Sequence, residues 1–173
     1  MHIYLVGPMG SGKSRVGRAL AERSGWPFHD LDRTVEAITG PLIPFFRTHG
    51  EEAFREREHE VLLAISRLAG PLVVATGGGT VLRKENRDLM RAAGRRVWLD
   101  VPLPVLAQRM QRAGRDRPLL HGLDDAGIEE KLGELYAMRL PLYQESEFRV
   151  DANALPEVVA ERILGALSSD QDK

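Results

Sequence analysis

The sequence of 173 residues is 43% hydrophobic, which suits a single domain over residues 1–173 and leaves no room for a second catalytic domain. Its 24 basic and 25 acidic residues give a formal net charge of −1, so no positive field indicates a nucleic-acid or anionic-membrane partner. The absence of cysteine excludes disulfides and thiolate metal sites, and the lack of a leader or a long apolar run leads us to expect a cytoplasmic protein.

A glycine-rich motif follows the first predicted strand. Residues 7–14 match the pattern G-x-x-x-x-G-K-[ST] and lie between a buried strand at 2–6 and an amphipathic helix at 15–23. In this setting successive backbone N–H groups face a polyphosphate at a helix N-terminus, where the helix dipole also favours negative charge. We expect Lys13 to reach the β- and γ-phosphate oxygens and the Ser14 hydroxyl to bind Mg²⁺.

Short apolar strands alternate with helices along the rest of the chain. Further strands are predicted at 27–29, 72–75, 96–100 and 147–150, and helices at 33–38, 41–48, 51–68, 85–93, 103–112, 127–142 and 156–167. This alternation predicts an α/β fold with a parallel sheet covered by helices on both faces. Residues 168–173 are predicted to form a frayed polar tail.

Two acidic residues follow the second predicted strand. If the chain stays extended through Asp30, Leu31 and Asp32, both carboxylates point the same way, toward the phosphate loop. One of them can then support a metal ion and its water shell, while the other orients an acceptor hydroxyl. The pattern leaves open a structural alternative, in which Asp32 caps a helix that begins at Arg33.

Three consecutive glycines, Gly77, Gly78 and Gly79, follow the third predicted strand. Each costs roughly 0.5–1 kcal/mol relative to alanine in regular structure. The triplet therefore indicates a site that needs bare backbone close to a ligand. A permissive turn without a ligand is the alternative.

Taken in order, six segments resemble the shikimate kinase family. They are the loop 7–14, the pair Asp30-x-Asp32, the run Gly50-Glu51-Glu52-Ala53-Phe54-Arg55-x-x-Glu58, the glycine triplet, Arg117-Pro118-Leu119-Leu120, and Arg139-x-Pro141-Leu142-Tyr143. The resemblance covers about residues 2–150 and implies transfer of the ATP γ-phosphoryl group to the 3-hydroxyl of shikimate, within aromatic amino-acid biosynthesis. It also implies a three-layer α/β/α fold with a five-stranded parallel sheet and a mobile lid.

The resemblance assigns the acceptor site as well. Asp32 is implied to contact the ring hydroxyls and to be the candidate base, and Arg55 and Arg139 to hold the substrate carboxylate. The glycine triplet would line the ring pocket, next to a substrate-binding region at about 32–60. Arginine suits this task because its planar guanidinium binds a carboxylate through two parallel hydrogen bonds.

Each arginine also has a structural alternative. Arg55 lies among acidic residues on a charged helix, where surface ion pairing is the ordinary interpretation. Arg139 lies near a predicted helix end, where it can bind free carbonyl groups.

For the nucleotide, the resemblance implies a lid at about 113–126. Arg117 is expected to bring positive charge from this lid to the phosphates, an effect worth roughly 10³–10⁵ in rate in other kinases, with Arg115 as a solvated neighbour. The catalytic set is thus Lys13, Asp32 and Arg117. The residues expected to bind ATP are Gly10, Ser11, Gly12, Lys13, Ser14, Arg15, Arg112, Arg117 and Asn153. Mg²⁺ is expected at Ser14 and, through water, at Asp30.

Adenine contacts are expected from Arg109 or Arg112 on one face of the base and from residues 151–156 on the other. Pro44 departs from the family pattern and predicts a distorted turn at 41–46. No partner other than ATP and shikimate is indicated, and we expect a monomer.

Other functions share part of this pattern. A gluconate-type or nucleotide kinase would have the same loop and fold without needing Arg55, the glycine triplet and Arg139 together. A guanine-nucleotide switch is a further alternative, but the sequence has no Asn-Lys-x-Asp element to recognise guanine.

Overall fold

Five parallel strands form the predicted sheet in the computed structural model, which describes residues 1–113 and 117–171. The strands are β1 (His2–Val6), β2 (Phe28–Asp30), β3 (Val73–Ala75), β4 (Gly94–Asp100) and β5 (Phe148–Asp151), in the order β2-β3-β1-β4-β5. The helices are α1 (Lys13–Ser24), α2 (Leu31–Thr39), α3 (Leu42–Ser66), α4 (Lys84–Ala93), α5 (Leu103–Ala113), α6 (Asp125–Gln144) and α7 (Pro156–Gln171). Within the described ranges, no helix combines the length and apolarity needed to cross a membrane.

Alternate side chains of the central strand β1 enter two separate cores. Ile3 and Leu5 pack with apolar residues of α1, α5 and α7 on one face of the sheet. Tyr4 and Val6 pack with α2, α3, α4 and the C-terminal part of α6 on the other. This alternation follows from the two-residue period of a strand, and it confirms the predicted three-layer α/β/α fold.

Helices α1, α2 and α6 each begin two residues earlier than the sequence pattern predicts. Gly12, at φ 90°, precedes α1, so that helix begins at Lys13 rather than at Arg15. The Asp30 carboxylate accepts a hydrogen bond from the Arg33 backbone N–H at 3.2 Å and caps α2, which begins at Leu31. The predicted extended course through Asp32 is therefore wrong, and so is the alternative in which Asp32 caps the helix.

The two helices predicted at 41–48 and 51–68 are continuous in α3, with a kink between them. Gly50 has φ 81° and ψ 172°, a left-handed φ that favours glycine, and it is the non-helical residue inside α3. Pro44 lies in the first turn, where the missing N–H has no helical partner to lose. The predicted distortion at 41–46 is therefore wrong.

The end of the described chain is helical. The Ser168 hydroxyl donates to the Leu164 carbonyl at 2.9 Å, and the Ser169 hydroxyl donates to the Gly165 carbonyl at 3.0 Å. The prediction of a frayed tail is thus wrong for residues 168–171, because α7 continues through them. Residues 172 and 173 lie outside the described ranges.

Candidate active site

The phosphate loop lies at the carboxyl end of β1 and is shaped around one buried lysine. Gly10 and Gly12 have φ values of 84° and 90°, which side chains other than glycine rarely adopt. The Lys13 ammonium donates to the Gly7 carbonyl at 2.7 Å and to the Pro8 carbonyl at 2.9 Å. The loop therefore holds its cation in place before any phosphate binds.

Burial lowers the pKa of Lys13 to about 7, and the positive charge of Arg117 acts in the same direction. The negative charge of Asp32 opposes this shift only in part. A bound polyphosphate supplies the missing negative charge, so it would restore the pKa of Lys13 toward its ordinary value.

Ser14 and Asp30 place two oxygen groups beside the loop. The Ser14 hydroxyl donates to Asp30 Oδ2 at 2.6 Å. Hard oxygen donors suit Mg²⁺, which retains several waters and takes further ligands from substrate phosphates. Across residues 1–113 and 117–171, no group of three His, Cys, Asp or Glu residues could hold a metal ion by itself. The two oxygen groups of Ser14 and Asp30 fit the ligand preference of a magnesium ion.

A cleft of about 450 Å³ opens beside the phosphate loop. Arg15 and Arg112 line it, as the nucleotide prediction requires. Asn153 is exposed and does not line the cleft, although its two neighbours in sequence do. Arg109 also lines the cleft, and its guanidinium donates to the Gly10 carbonyl at 2.8 Å. This hydrogen bond holds one edge of the Arg109 guanidinium against the phosphate loop.

A second, smaller cleft adjoins the first and is called the acceptor cleft hereafter. The two clefts share Met9, Asp32, Gly78 and Arg117, so a group in one can reach a group in the other. The acceptor cleft is lined by Met9, Asp32, Leu42, Phe46, Phe54, Arg55, Gly77, Gly78, Gly79, Arg117, Pro118, Leu119 and Arg139.

Arg139 places an unpaired positive charge in the wall of this cleft. The residue is only 3% exposed, and its Nε atom has no hydrogen-bond partner within residues 1–113 and 117–171. Within the described part of the chain, no carboxylate lies within ion-pair distance of it, and it caps no backbone carbonyl. One helical turn later, the Tyr143 hydroxyl donates to the Gly78 carbonyl at 2.6 Å and ties α6 to the glycine triplet.

Arg55 enters the same cleft with its charge already paired. Its Nη1 atom donates to Glu58 Oε2 at 3.0 Å and its Nη2 atom to Glu51 Oε1 at 3.1 Å. The ion-pairing alternative is therefore correct for these two partners, yet Arg55 is mostly buried and lines the cleft as well. Glu58 is fully buried, and this burial raises the pKa of its carboxyl group while Arg55 opposes the shift.

The glycine triplet makes room for these charged side chains. A Cβ on Gly77 would lie 2.6 Å from Glu58 Oε1 and 2.7 Å from Asp32 Oδ1, and a Cβ on Gly79 would overlap the Arg55 guanidinium. The φ values of the three glycines are not positive, so backbone conformation does not explain them. Close approach of the cleft's own side chains does, and a merely permissive turn does not.

Asp32 and Arg117 meet where the two clefts join. Arg117 Nη1 lies 3.4 Å from Asp32 Oδ2. Burial raises the pKa of the Asp32 carboxyl, against the opposing charges of Arg117 and Lys13. Of the lid expected at about 113–126, residues 114–116, including Arg115, lie outside the described ranges, so its motion stays a prediction.

Sequence reasoning assigned no separate role to Glu58, Thr80, Asn86 or Tyr143. Thr80 donates its hydroxyl to Glu58 Oε1 at 2.7 Å, and the Asn86 amide donates to the Thr80 carbonyl at 3.0 Å. The spacing of Tyr143, four residues after Arg139, places both on one helix face and is a usable signal. The contacts of Thr80 and Asn86 depend on tertiary packing and have no such signal.

The parallel sheet, the phosphate loop and the adjoining clefts define this chain as a phosphate-loop kinase. The family model described as shikimate kinase matches residues 9–168. The chain is 48% identical over 166 residues to the shikimate kinase of Symbiobacterium thermophilum, covering 93% of each chain, and 45% identical over 169 residues to that of Thermosynechococcus vestitus, covering 96% of this chain and 89% of the relative. It matches the structure of Acinetobacter baumannii shikimate kinase in complex with shikimate at 39% identity and a TM-score of 0.92, covering 99% and 95% of the two chains. The chain belongs to the shikimate kinase family.

Proposed function

We propose that this protein transfers the γ-phosphoryl group of ATP to the 3-hydroxyl of shikimate, giving shikimate 3-phosphate and ADP. The observation that carries the proposal is the buried guanidinium of Arg139, which has no carboxylate partner among the described residues and lines a cleft that adjoins a phosphate loop. A buried charge without a partner is costly to a folded protein. A small acceptor that carries a carboxylate removes this cost on binding, whereas a neutral sugar does not.

The phosphate loop would hold the nucleotide. Backbone N–H groups of residues 10–14 face the phosphates at the start of α1, where the helix dipole adds partial positive charge. Lys13 would exchange its two loop carbonyls for phosphate oxygens. Ser14, with Asp30 through water, would hold Mg²⁺, which when bound neutralises charge on the β- and γ-phosphate oxygens.

The acceptor cleft would position shikimate for in-line attack. Arg139 and Arg55 hold the carboxylate, and the glycine triplet lets the ring lie against bare backbone. Asp32 then orients the 3-hydroxyl at the junction of the clefts and can take its proton, since burial raises the pKa of this carboxyl. The transition state of phosphoryl transfer is loose, so alignment contributes more than proton removal.

Arg117 would stabilise the charge that develops between the two substrates. Its guanidinium lines both clefts and lies beside Asp32. In the nucleotide complex we expect it to turn from Asp32 to the γ-phosphoryl group, which frees the carboxylate for the hydroxyl. Water must be excluded from the junction of the clefts during transfer, because water would otherwise compete with the hydroxyl for the phosphoryl group.

An ADP-release assay with ATP, Mg²⁺ and a panel of acceptors tests the proposal. Shikimate should be phosphorylated, whereas its methyl ester should give a rate at least about 100-fold lower, the difference expected from losing one carboxylate held by buried arginine. Gluconate and nucleoside monophosphates, whose shapes differ from that of a hydroxylated ring acid, should also react more slowly than shikimate. Preferred phosphorylation of gluconate or of a nucleotide would favour the corresponding kinase instead. Preference for GTP over ATP would contradict the nucleotide assignment.

The proposal extends to the ion, the location and the assembly of the protein. Chelation of Mg²⁺ should abolish turnover, and its return should restore it. We also propose a cytoplasmic monomer that serves aromatic amino-acid biosynthesis. Sedimentation of the free protein tests the oligomeric state directly, and a dimer would contradict it.

A further inference from the structure

A chain of buried hydrogen bonds leads from α4 to the acceptor cleft. The Asn86 amide donates to the Thr80 carbonyl at 3.0 Å, and the Thr80 hydroxyl donates to Glu58 Oε1 at 2.7 Å. Arg55 Nη1 donates to the other oxygen of Glu58 at 3.0 Å. At the outer end, His59 Nδ1 lies 2.6 Å from Asn86 Oδ1. Four contacts thus connect a half-buried histidine with a cleft arginine.

The residues in the middle of this hydrogen-bond chain are closed to solvent. Thr80 and Glu58 are 0% exposed, and Asn86 is 1% exposed. Each polar group therefore depends on its neighbours in the chain for hydrogen bonds, because water cannot replace them. Loss of the Thr80 hydroxyl would leave Glu58 Oε1 unsatisfied and free its carboxylate to rotate.

Glu58 is the firmer of the two anchors of Arg55. The other anchor, Glu51, has a side chain that is 47% exposed, and exposed ion pairs constrain geometry weakly. Thr80 also belongs to the glycine loop, since its backbone N–H donates to the Gly77 carbonyl at 3.2 Å. Thr80 thereby links the backbone wall of the cleft to the carboxylate that holds Arg55.

We propose that Thr80 and Asn86 are positioning residues that fix the Arg55 guanidinium for an acceptor carboxylate, by way of Glu58. Neither residue lines the acceptor cleft, so both act through the hydrogen-bond chain. The acceptor identity rests on the proposed function, whereas the chain itself is a property of the free protein. Loss of these hydrogen bonds should weaken acceptor binding and leave nucleotide binding largely unchanged, since neither Thr80 nor Asn86 lines the nucleotide cleft.

Kinetics of matched threonine variants test this inference. Thr80→Val removes the hydroxyl at nearly constant volume and should raise the KM for shikimate about tenfold, with kcat and the KM for ATP changed less than about twofold. Thr80→Ser keeps the hydroxyl and should stay near wild type. Asn86→Ala should also raise the KM for shikimate, by about threefold.

Ser168→Ala is the control, because it also removes one side-chain hydroxyl, which donates to the Leu164 carbonyl in α7, outside both clefts. Its substrate KM values should equal those of the wild type. An unchanged KM for shikimate in Thr80→Val, equal rises for both substrates, or failure of Thr80→Ser to restore binding would overturn the inference.

A second readout needs no acceptor. The Glu58 side-chain carbon can be followed by ¹³C NMR during a pH titration of the free protein. The charged groups that face Glu58 are Arg55 on its own helix and Asp32 on α2, and the variants keep both. Thr80→Val should raise the pKa of Glu58, because it removes a hydrogen bond to the charged form, and Thr80→Ser should restore it. An unchanged pKa of Glu58 in Thr80→Val would contradict the proposed hydrogen-bond chain, even if shikimate proved not to be the acceptor.

Discussion

Two arginines line the acceptor cleft in opposite electrostatic states. Arg55 is paired with Glu58 and Glu51, so its position is fixed and its charge is largely compensated. Arg139 is 3% exposed, has an unpartnered Nε atom and has no carboxylate partner among the described residues. The two arginines therefore suit different tasks. A guanidinium held by two carboxylates has a fixed position and can orient a ligand, whereas a guanidinium without a counter-charge attracts an anionic ligand more strongly. We infer that Arg139 supplies most of the attraction for an acid and that Arg55 sets its orientation.

The largest effect on stability is expected from Arg55→Met. This change leaves Glu58 buried without its counter-charge, which should lower the free energy of unfolding by about 3 kcal/mol at neutral pH. Urea denaturation measures it. Arg57→Met is the matched control, since Arg57 pairs with Glu60 on the exposed side of the same helix and should contribute less than about 0.5 kcal/mol. Equal free energies of unfolding for Arg55→Met and Arg57→Met would contradict the proposed difference between the buried and the exposed ion pair.

Arg139→Met should change stability in the opposite direction. Methionine fills similar space without a buried charge, so the free energy of unfolding should rise by about 1–2 kcal/mol while shikimate binding is weakened. The same denaturation experiment gives the result. A loss of stability of similar size to that of Arg55→Met would mean that Arg139 has a structural partner in solution.

The comparison also predicts how stability depends on pH. Burial raises the folded-state pKa of Glu58 above its ordinary value, and Arg55 opposes that rise. In Arg55→Met the pKa of Glu58 should rise further, so the folded variant binds a proton more readily than the unfolded chain. Its stability deficit should shrink as pH falls toward 4.5 and grow as pH rises through the folded pKa. Denaturation at pH 5 and pH 8 tests this, and a constant deficit would contradict it.

The smallest expected signal comes from Lys13, a second buried basic side chain that has no directly bonded carboxylate among the described residues. Because burial lowers the pKa of Lys13 to about 7, the free protein at pH 8 has this amine mostly neutral. Binding of ATP should restore its charge and take up about 0.5–1 proton. Calorimetry in two buffers of different ionisation enthalpy measures the uptake. Lys13→Met, which has no amine to titrate, should take up none.

The fold was largely predictable because its signals are local. Five short apolar strands between amphipathic helices predicted the parallel sheet, and the glycine motif after β1 placed the phosphate loop. The boundary at Asp30 was missed because competing caps two residues apart both suit the start of a helix. The polar tail was missed because serines that bond back to carbonyls can continue a helix that composition alone argues against.

The sequence predicted which residues form the acceptor site, but it did not predict which of their charges are paired. The ordered motifs singled out Arg55 and Arg139 equally, since both are arginines in recognisable segments. Which one has a carboxylate neighbour depends on how α3 and α6 pack against the glycine loop. The participation of Thr80 depends on a contact between residues 22 positions apart, which no local pattern encodes.

A binding cycle with two ligands and two proteins tests the role of Arg139 most directly. Shikimate and its uncharged methyl ester should be titrated into the wild-type protein and into Arg139→Met. The wild type should prefer the acid by at least about 100-fold, and the variant should discriminate by less than about fivefold, because one buried guanidinium supplies most of the recognition. An undiminished preference for the acid in the variant would contradict the account.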